Sequence, residues 1–293
     1  MLKIEHLSKN FGKKEVLKDL NLTVANKSIV GLVGINGAGK STLLRSIAGV
    51  YAPEQGSITL DGRSTYTDMS AKKEIAFVSD DAYFPMGATI NSTKLYYQCM
   101  YNFDEAAYQK YLNMFKLDPK ASIATFSKGM KRRVSLIFAL SIHAKLLLLD
   151  EAYDGLEPIA RLHFKNALTD LLEDEDVSVI ISSHSLKELE DICDSFAMLE
   201  NGNIMTGGDL SESKEHINKY QLAFRDPHTR EDFRDFDILQ YENEGQVYKL
   251  VIRGDSDDIE ARLRAMDPML LNILPVNFEE LFIYELESRG ERV

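Results

Sequence analysis

The chain has 293 residues, 44% of them hydrophobic, and a net charge of −12; this supports one large domain or two unequal ones. No window approaches the ~18 uncharged apolar residues that cross a bilayer, and residues 1–6 begin like a strand, not like a secretory signal. The acidity is concentrated late: residues 203–293 hold 11 Lys and Arg against 20 Asp and Glu, a field that repels nucleic-acid phosphates, so no nucleic-acid partner is expected.

Apolar, β-branched runs predict strands at residues 20–24, 29–33, 57–60, 75–78, 146–149, 177–182 and 196–199. Helix-period stretches at 41–50, 161–173 and 185–193 separate several of them, which predicts a sheet with a parallel α/β centre. Residues 85–145 differ: 89–101, 105–115 and 128–141 all read as helices, without a convincing strand, and predict a helical insertion. After Gly207-Gly208 a new pattern starts, with strands at 221–224, 238–241 and 247–252 and helices at 257–266 and 278–288. The division expected is 1–208 for the first domain, with its helical subdomain at about 85–145, and 209–293 for a small α+β appendage. Cys99 and Cys193 are far apart, lack metal-ligand spacing and sit in apolar surroundings, which predicts reduced core thiols in the cytosol.

The most informative stretch is Gly34-Ile35-Asn36-Gly37-Ala38-Gly39-Lys40-Ser41-Thr42, which has GxxxxGKS spacing between a predicted strand and a predicted helix. Such glycines let consecutive N–H groups turn around a polyphosphate, and the following helix adds its positive N-terminus. Lys40 can neutralise outer phosphates, and the Ser41 hydroxyl can hold Mg²⁺. The strand at 146–149 ends on Asp150 and Glu151. Alternation gives them different tasks: Asp150 can face the metal, and Glu151 can polarise a water attacking the terminal phosphate.

With those motifs in place, residues 1–208 resemble the ATP-binding subunits of ABC transporters. Walker A is 34–42, Walker B is 146–150, Glu151 falls at the catalytic glutamate position, and His184, after another predicted strand, falls at the switch-histidine position. Phe126-Ser127-Lys128-Gly129-Met130 resembles the LSGGQ signature in an SKGM form. Ser127 can cap a helix there and Gly129 permits close approach, so that Ser127, Lys128 and Gly129 form a second anion site. Phe11, in Asn10-Phe11-Gly12, resembles the aromatic loop that stacks on adenine. The position where the family usually has glutamine falls on Asp80, a further candidate Mg²⁺ ligand, or on Ser79 in the alternative register. Asp154-Gly155-Leu156-Glu157 resembles the D-loop, with Glu157 in place of aspartate.

The resemblance implies an α/β fold: a P-loop NTPase core with a parallel sheet plus N-terminal antiparallel β elements, a helical insertion, and the small C-terminal α+β appendage. It also implies an ATPase using ATP and Mg²⁺, dimerising head to tail as a homodimer or with another ABC cassette. Such a dimer drives a separately encoded transmembrane permease, of export type, from the cytoplasmic face of the membrane. Phe84, Pro85 and Met86 are candidates to line the permease groove, or else form hinge and local core. Two other classes share parts of the pattern: a soluble, non-transport ABC ATPase serving assembly or regulation, and a P-loop kinase. The kinase would not require the signature element or His184.

Overall fold

The computed structural model describes residues 1–153, 155–174, 176–184, 186–190, 192–209, 217–276, 280 and 284, of which 174, 186–187 and 205–209 are described by backbone alone. The chain divides into two compact units, Met1–Gly207 and Gly208–Val293.

In the first unit, β1 (Leu2–Phe11) and β2 (Lys14–Val24) form a long antiparallel hairpin, extended by β4 (Gln55–Leu60) and β5 (Arg63–Ser64) in the order β2-β1-β4-β5. A second sheet holds β3 (Ile29–Val33), β6 (Ile75–Val78), β7 (Leu146–Leu149), β8 (Ser178–Ser183), β9 (Ser195–Glu200) and β10 (Asn203–Asp209), ordered β10-β9-β3-β8-β7-β6. The β9-β3, β3-β8, β8-β7 and β7-β6 pairs are parallel. Every residue of β3 and β7 is buried, the continuous apolar pattern of strands covered on both faces. Register aligns Val33 with Ser183, Leu149 with Ile181, and Val78 with Leu149. The segments leaving β3, β8, β7 and β6 therefore emerge along one edge, which places Gly34, His184, Asp150 and Asp80 at the same end of the sheet.

Helix α1 (Lys40–Ile47) follows β3, and α2 (Met69–Lys73) precedes β6. The helical insertion comprises α3 (Ile90–Met100), α4 (Glu105–Phe115) and α5 (Lys128–Ala139). Tyr97 stacks on Phe138 at 4.4 Å between α3 and α5, and Asp104 caps α4. Helices α6 (Pro158–Asp174) and α7 (Leu186–Glu190) complete the unit.

The second unit has one antiparallel sheet, β12-β13-β11-β14, built from β11 (Ile217–Ala223), β12 (Asp237–Glu244), β13 (Val247–Arg253) and β14 (Leu270–Leu274). Helix α8 (Ser256–Arg264) packs Ile259 and Leu263 against Tyr220, Leu222, Tyr248 and Leu250.

The α/β class, the parallel centre, the helical insertion and the later α+β pattern agree with expectation. Four elements were not anticipated: α2, β5, β10 and β14. The predicted helix at 278–288 lies outside the described residues apart from 280 and 284. Only one cysteine is a core thiol. Cys99 is exposed on α3, whereas Cys193 is buried, and burial pushes its thiol pKa up, with Asp194 adding to the effect. No helix among the described residues is long and apolar enough to cross a membrane.

Candidate functional site

The site is built around the turn between β3 and α1. Gly39 stands at the N-terminus of α1 with φ 114°, a left-handed conformation that a β-carbon disfavours. Gly34 and Ala38 are packed inside the turn, while Asn36 and Gly37 are exposed. A cavity of about 360 Å³ opens here. It is lined by Lys14, Val16, Ile35, Asn36, Gly37, Gly39, Lys40, Ser41, Thr42, Asp80 and Glu151. Lys40 is only 6% exposed. Its ammonium donates to the Gly34 carbonyl at 2.6 Å and lies 3.4 Å from Glu151 Oε1, a desolvated cation suited to an anionic ligand.

Beyond β7, Asp150 is fully buried. Its Oδ1 accepts from Ser41 Oγ at 3.1 Å and Ser182 Oγ at 2.9 Å, while Oδ2 has no hydrogen-bond partner among the described residues. A buried carboxylate oxygen left without a donor is costly unless something else meets it, and a hard divalent cation beside a serine hydroxyl fits that demand. No cluster of three or more His, Cys, Asp or Glu among the described residues could hold a metal alone.

Glu151 adopts φ 49°, a left-handed conformation that costs a residue with a β-carbon on the order of 1 kcal/mol. Two contacts hold it: its N–H donates to Ser182 Oγ at 3.0 Å, and its carbonyl accepts from the Arg132 guanidinium. Its side chain faces His184, with Oε2 3.0 Å from Nδ1 and 3.3 Å from the His184 N–H. Glu151 thus joins Lys40 and His184 side chain to side chain, Asp150 joins Ser41 and Ser182, and the two groups meet where the Glu151 N–H reaches Ser182 Oγ, a set able to neutralise phosphate charge and orient a water for attack.

Asp80 joins the cavity, but its Oδ1 is shared by Lys128 at 3.0 Å and Arg132 at 2.6 Å. Burial alone would raise its pKa, and the two cations outweigh that, holding the carboxyl below its usual range. Its charge is already balanced within the chain, which weakens the expectation that it ligates metal. Ser79 is not among the cavity-lining residues.

Ser127 caps α5, its Oγ accepting from the Met130 N–H at 3.2 Å. Gly129 packs against Gly155: a β-carbon on it would stand 2.3 Å from the Gly155 carbonyl. Its small size is thus demanded inside the chain. Arg133, also on α5, reaches Glu157 at 3.4 Å. Asp154 lies outside the described residues. Neither Ser127, Lys128 nor Gly129 lines the cavity around Lys40, so the candidate second anion site is not part of that cavity. Phe11 is also absent from the lining; it sits at the β1-β2 hairpin, 45% exposed, edge-on to Tyr51 at 5.2 Å.

Four residues missed by sequence reading matter here. Lys14 and Val16 line the cavity from alternate positions of β2, a period-two signal visible beside the hairpin glycine. Ser182 and Arg132 gave no local signal, because their partners lie 18 to 52 residues away.

The family model described as ABC transporter matches residues 17–154. ABC transporter ATP-binding protein YtrB of Bacillus subtilis (strain 168) is 30% identical over 284 residues, covering 97% of both chains. Nod factor export ATP-binding protein I of Rhizobium leguminosarum bv. viciae is 30% identical over 295 residues, covering 94% of this chain and 92% of its own. A solved ATP-binding subunit of an ABC transporter superposes with a TM-score of 0.68 at 28% identity, over 73% of this chain and 92% of that one. Kinship of that extent, on a fold that gathers a phosphate-binding turn and a carboxylate pair at one sheet edge, means that the chain belongs to the ABC transporter family as one of its ATP-binding, ATP-hydrolysing subunits.

Proposed function

We propose a residue-by-residue division of labour for ATP hydrolysis. The backbone of residues 34–42 wraps the phosphates, Lys40 neutralises their charge, and Lys14 and Val16 border the nucleoside side. Ser41 and Asp150 would hold Mg²⁺, which supplies charge neutralisation at the phosphates. Glu151 accepts the proton of the attacking water, and His184 orients Glu151 and donates toward the reacting phosphate. Ser127 and Gly129 of a second cassette, with its α5 N-terminus, complete the far end of the site. Residues 1–208 act as the cassette and 209–293 as an appendage to it.

The observation that carries this reading is the continuous polar contact running from Ser41 through Asp150, Ser182 and Glu151 to Lys40 and His184. Peripheral attachment to the membrane through the permease is supported by an apolar groove of about 570 Å³ on the cassette, lined in part by Val50, Met69, Phe77, Met100 and Tyr101. Val50, Met69 and Met100 are each more than half exposed, enough apolar surface for an amphipathic partner helix. Phe84, Pro85 and Met86 do not line it. Export as the direction of transport rests on the likeness to the relative named for Nod factor export.

Steady-state ATPase assays with equilibrium binding of a fluorescent ATP analogue test the assignments. Glu151→Gln should bind the analogue with near-normal affinity and lose turnover by on the order of 10²-fold or more. Lys40→Ala should lose nucleotide affinity. Wild-type turnover in Glu151→Gln would remove Glu151 from the base role.

A further inference from the structure

We propose that Arg132, on the helix capped by Ser127, is a positioning residue for ATP hydrolysis: its guanidinium ties that helix to the backbone of Asp150 and Glu151 and, through Asp80, to the segment that follows β6. The inference rests on the assignment of Glu151 as the base.

Arg132 is a charged side chain only 1% exposed, and a buried guanidinium is tolerated only with its donors engaged. One terminal nitrogen donates to the Asp150 carbonyl at 2.9 Å and also to the Glu151 carbonyl. The other donates to the Asp80 carbonyl at 3.0 Å and to Asp80 Oδ1 at 2.6 Å. Three of the four acceptors are therefore backbone oxygens, so the contact orients main chain more than it balances charge. Two consecutive carbonyls drawn to one nitrogen leave the peptide between Asp150 and Glu151 little freedom. The Glu151 Cα–Cβ bond is fixed with it, in the left-handed conformation at φ 49°. Ser182 holds the same residue from its N–H.

Arg132 belongs to α5, five positions after Ser127. A shift of that helix therefore moves the guanidinium and, with it, the carbonyls on either side of the Glu151 Cα. Asp80 keeps the other nitrogen on the segment following β6. The planar fork is essential: lysine presents one point charge and cannot hold both edges at once.

The test compares Arg132→Gln and Arg132→Lys with wild type and with Glu151→Gln in the full chain. It measures kcat, KM for ATP, and equilibrium affinity for a fluorescent ATP analogue. A displaced catalytic group predicts loss of kcat on the order of 10²-fold in Arg132→Gln, with KM and analogue affinity near wild type. Arg132→Lys should fall between that variant and wild type. If Arg132→Gln does not fold, Arg132→Lys decides alone, by a lowered kcat at unchanged KM. Wild-type kcat in Arg132→Lys overturns the inference. So does a parallel loss of kcat and analogue affinity, which would mark a merely structural role. Full turnover in Glu151→Gln would instead overturn the assignment of the base.

Discussion

Glu151 combines a left-handed backbone with a side chain aimed at two partners, Lys40 and His184. Such local strain persists only where surroundings over-determine it, and Ser182 is one of those surroundings. Replacing Ser182 with alanine removes an acceptor from the Glu151 N–H and a donor to Asp150. It should cost roughly 1–3 kcal/mol in urea denaturation, as expected for stranded buried polar groups, and should lower kcat more than it raises KM. The Asp80 carboxyl makes a pH-dependent contribution. Because its folded pKa is depressed by Lys128 and Arg132, its stabilisation is complete above the ordinary carboxylate range. It is lost as pH falls through the folded value, so Asp80→Asn should flatten the acid side of the stability-against-pH curve. At this scale the sequence disclosed Lys40, Ser41, Asp150, Glu151 and His184, because each is a reactive type directly after a predicted strand or glycine turn. In sequence Arg132 is one more cation in the run Lys131-Arg132-Arg133, and only tertiary packing distinguishes the buried one from its neighbours. Position alone marks Asp80 as a candidate ligand, whereas the two cations that occupy it, Lys128 and Arg132, come from a helix far along the chain.

Among elements, α5 shows how much one helix start must satisfy. Ser127 caps it, and Ser127→Ala should lower stability by about 1 kcal/mol, the usual worth of such a cap. Gly129→Ala should cost more, because the new β-carbon meets the Gly155 carbonyl at 2.3 Å and backbone must move; thermal unfolding of the two variants side by side checks the order. Strands β3, β6 and β7 and helix α4 match their predicted bounds residue for residue. The strands are short apolar runs between clear breaks, and α4 starts at an aspartate cap. Helix α2 has five residues, too few for a helical period to register. Strand β14 reads Leu-Leu-Asn-Ile-Leu with exposed apolar positions at the sheet edge, so neither alternation nor full burial announced it.

For the whole molecule, the parallel sheet explains why residues separated by more than a hundred positions share one cavity, while Ser127 and Gly129 stay outside it. Under the proposed function, with one end of the phosphate site after β3 and the other at the start of α5, such a cassette works by apposition. On the proposed reading ATP bridges two cassettes, and hydrolysis removes the bridge and allows them to part. Driving such a pair from mostly open to mostly closed takes on the order of 5 kcal/mol, a scale that several charge-assisted phosphate contacts can reach. The acidic balance of residues 203–293 was plain from composition, and the antiparallel unit that carries most of it was legible as three of its four strands and one helix. The most direct measurement of this account is the mass, by light scattering on size-exclusion chromatography, of Glu151→Gln with and without ATP, alone and combined with Ser127→Arg. The account predicts a nucleotide-dependent dimer in the single variant and a monomer in the combined one. A dimer that forms equally well with arginine at position 127, or no response to ATP in the single variant under conditions where the nucleotide is bound, would contradict it.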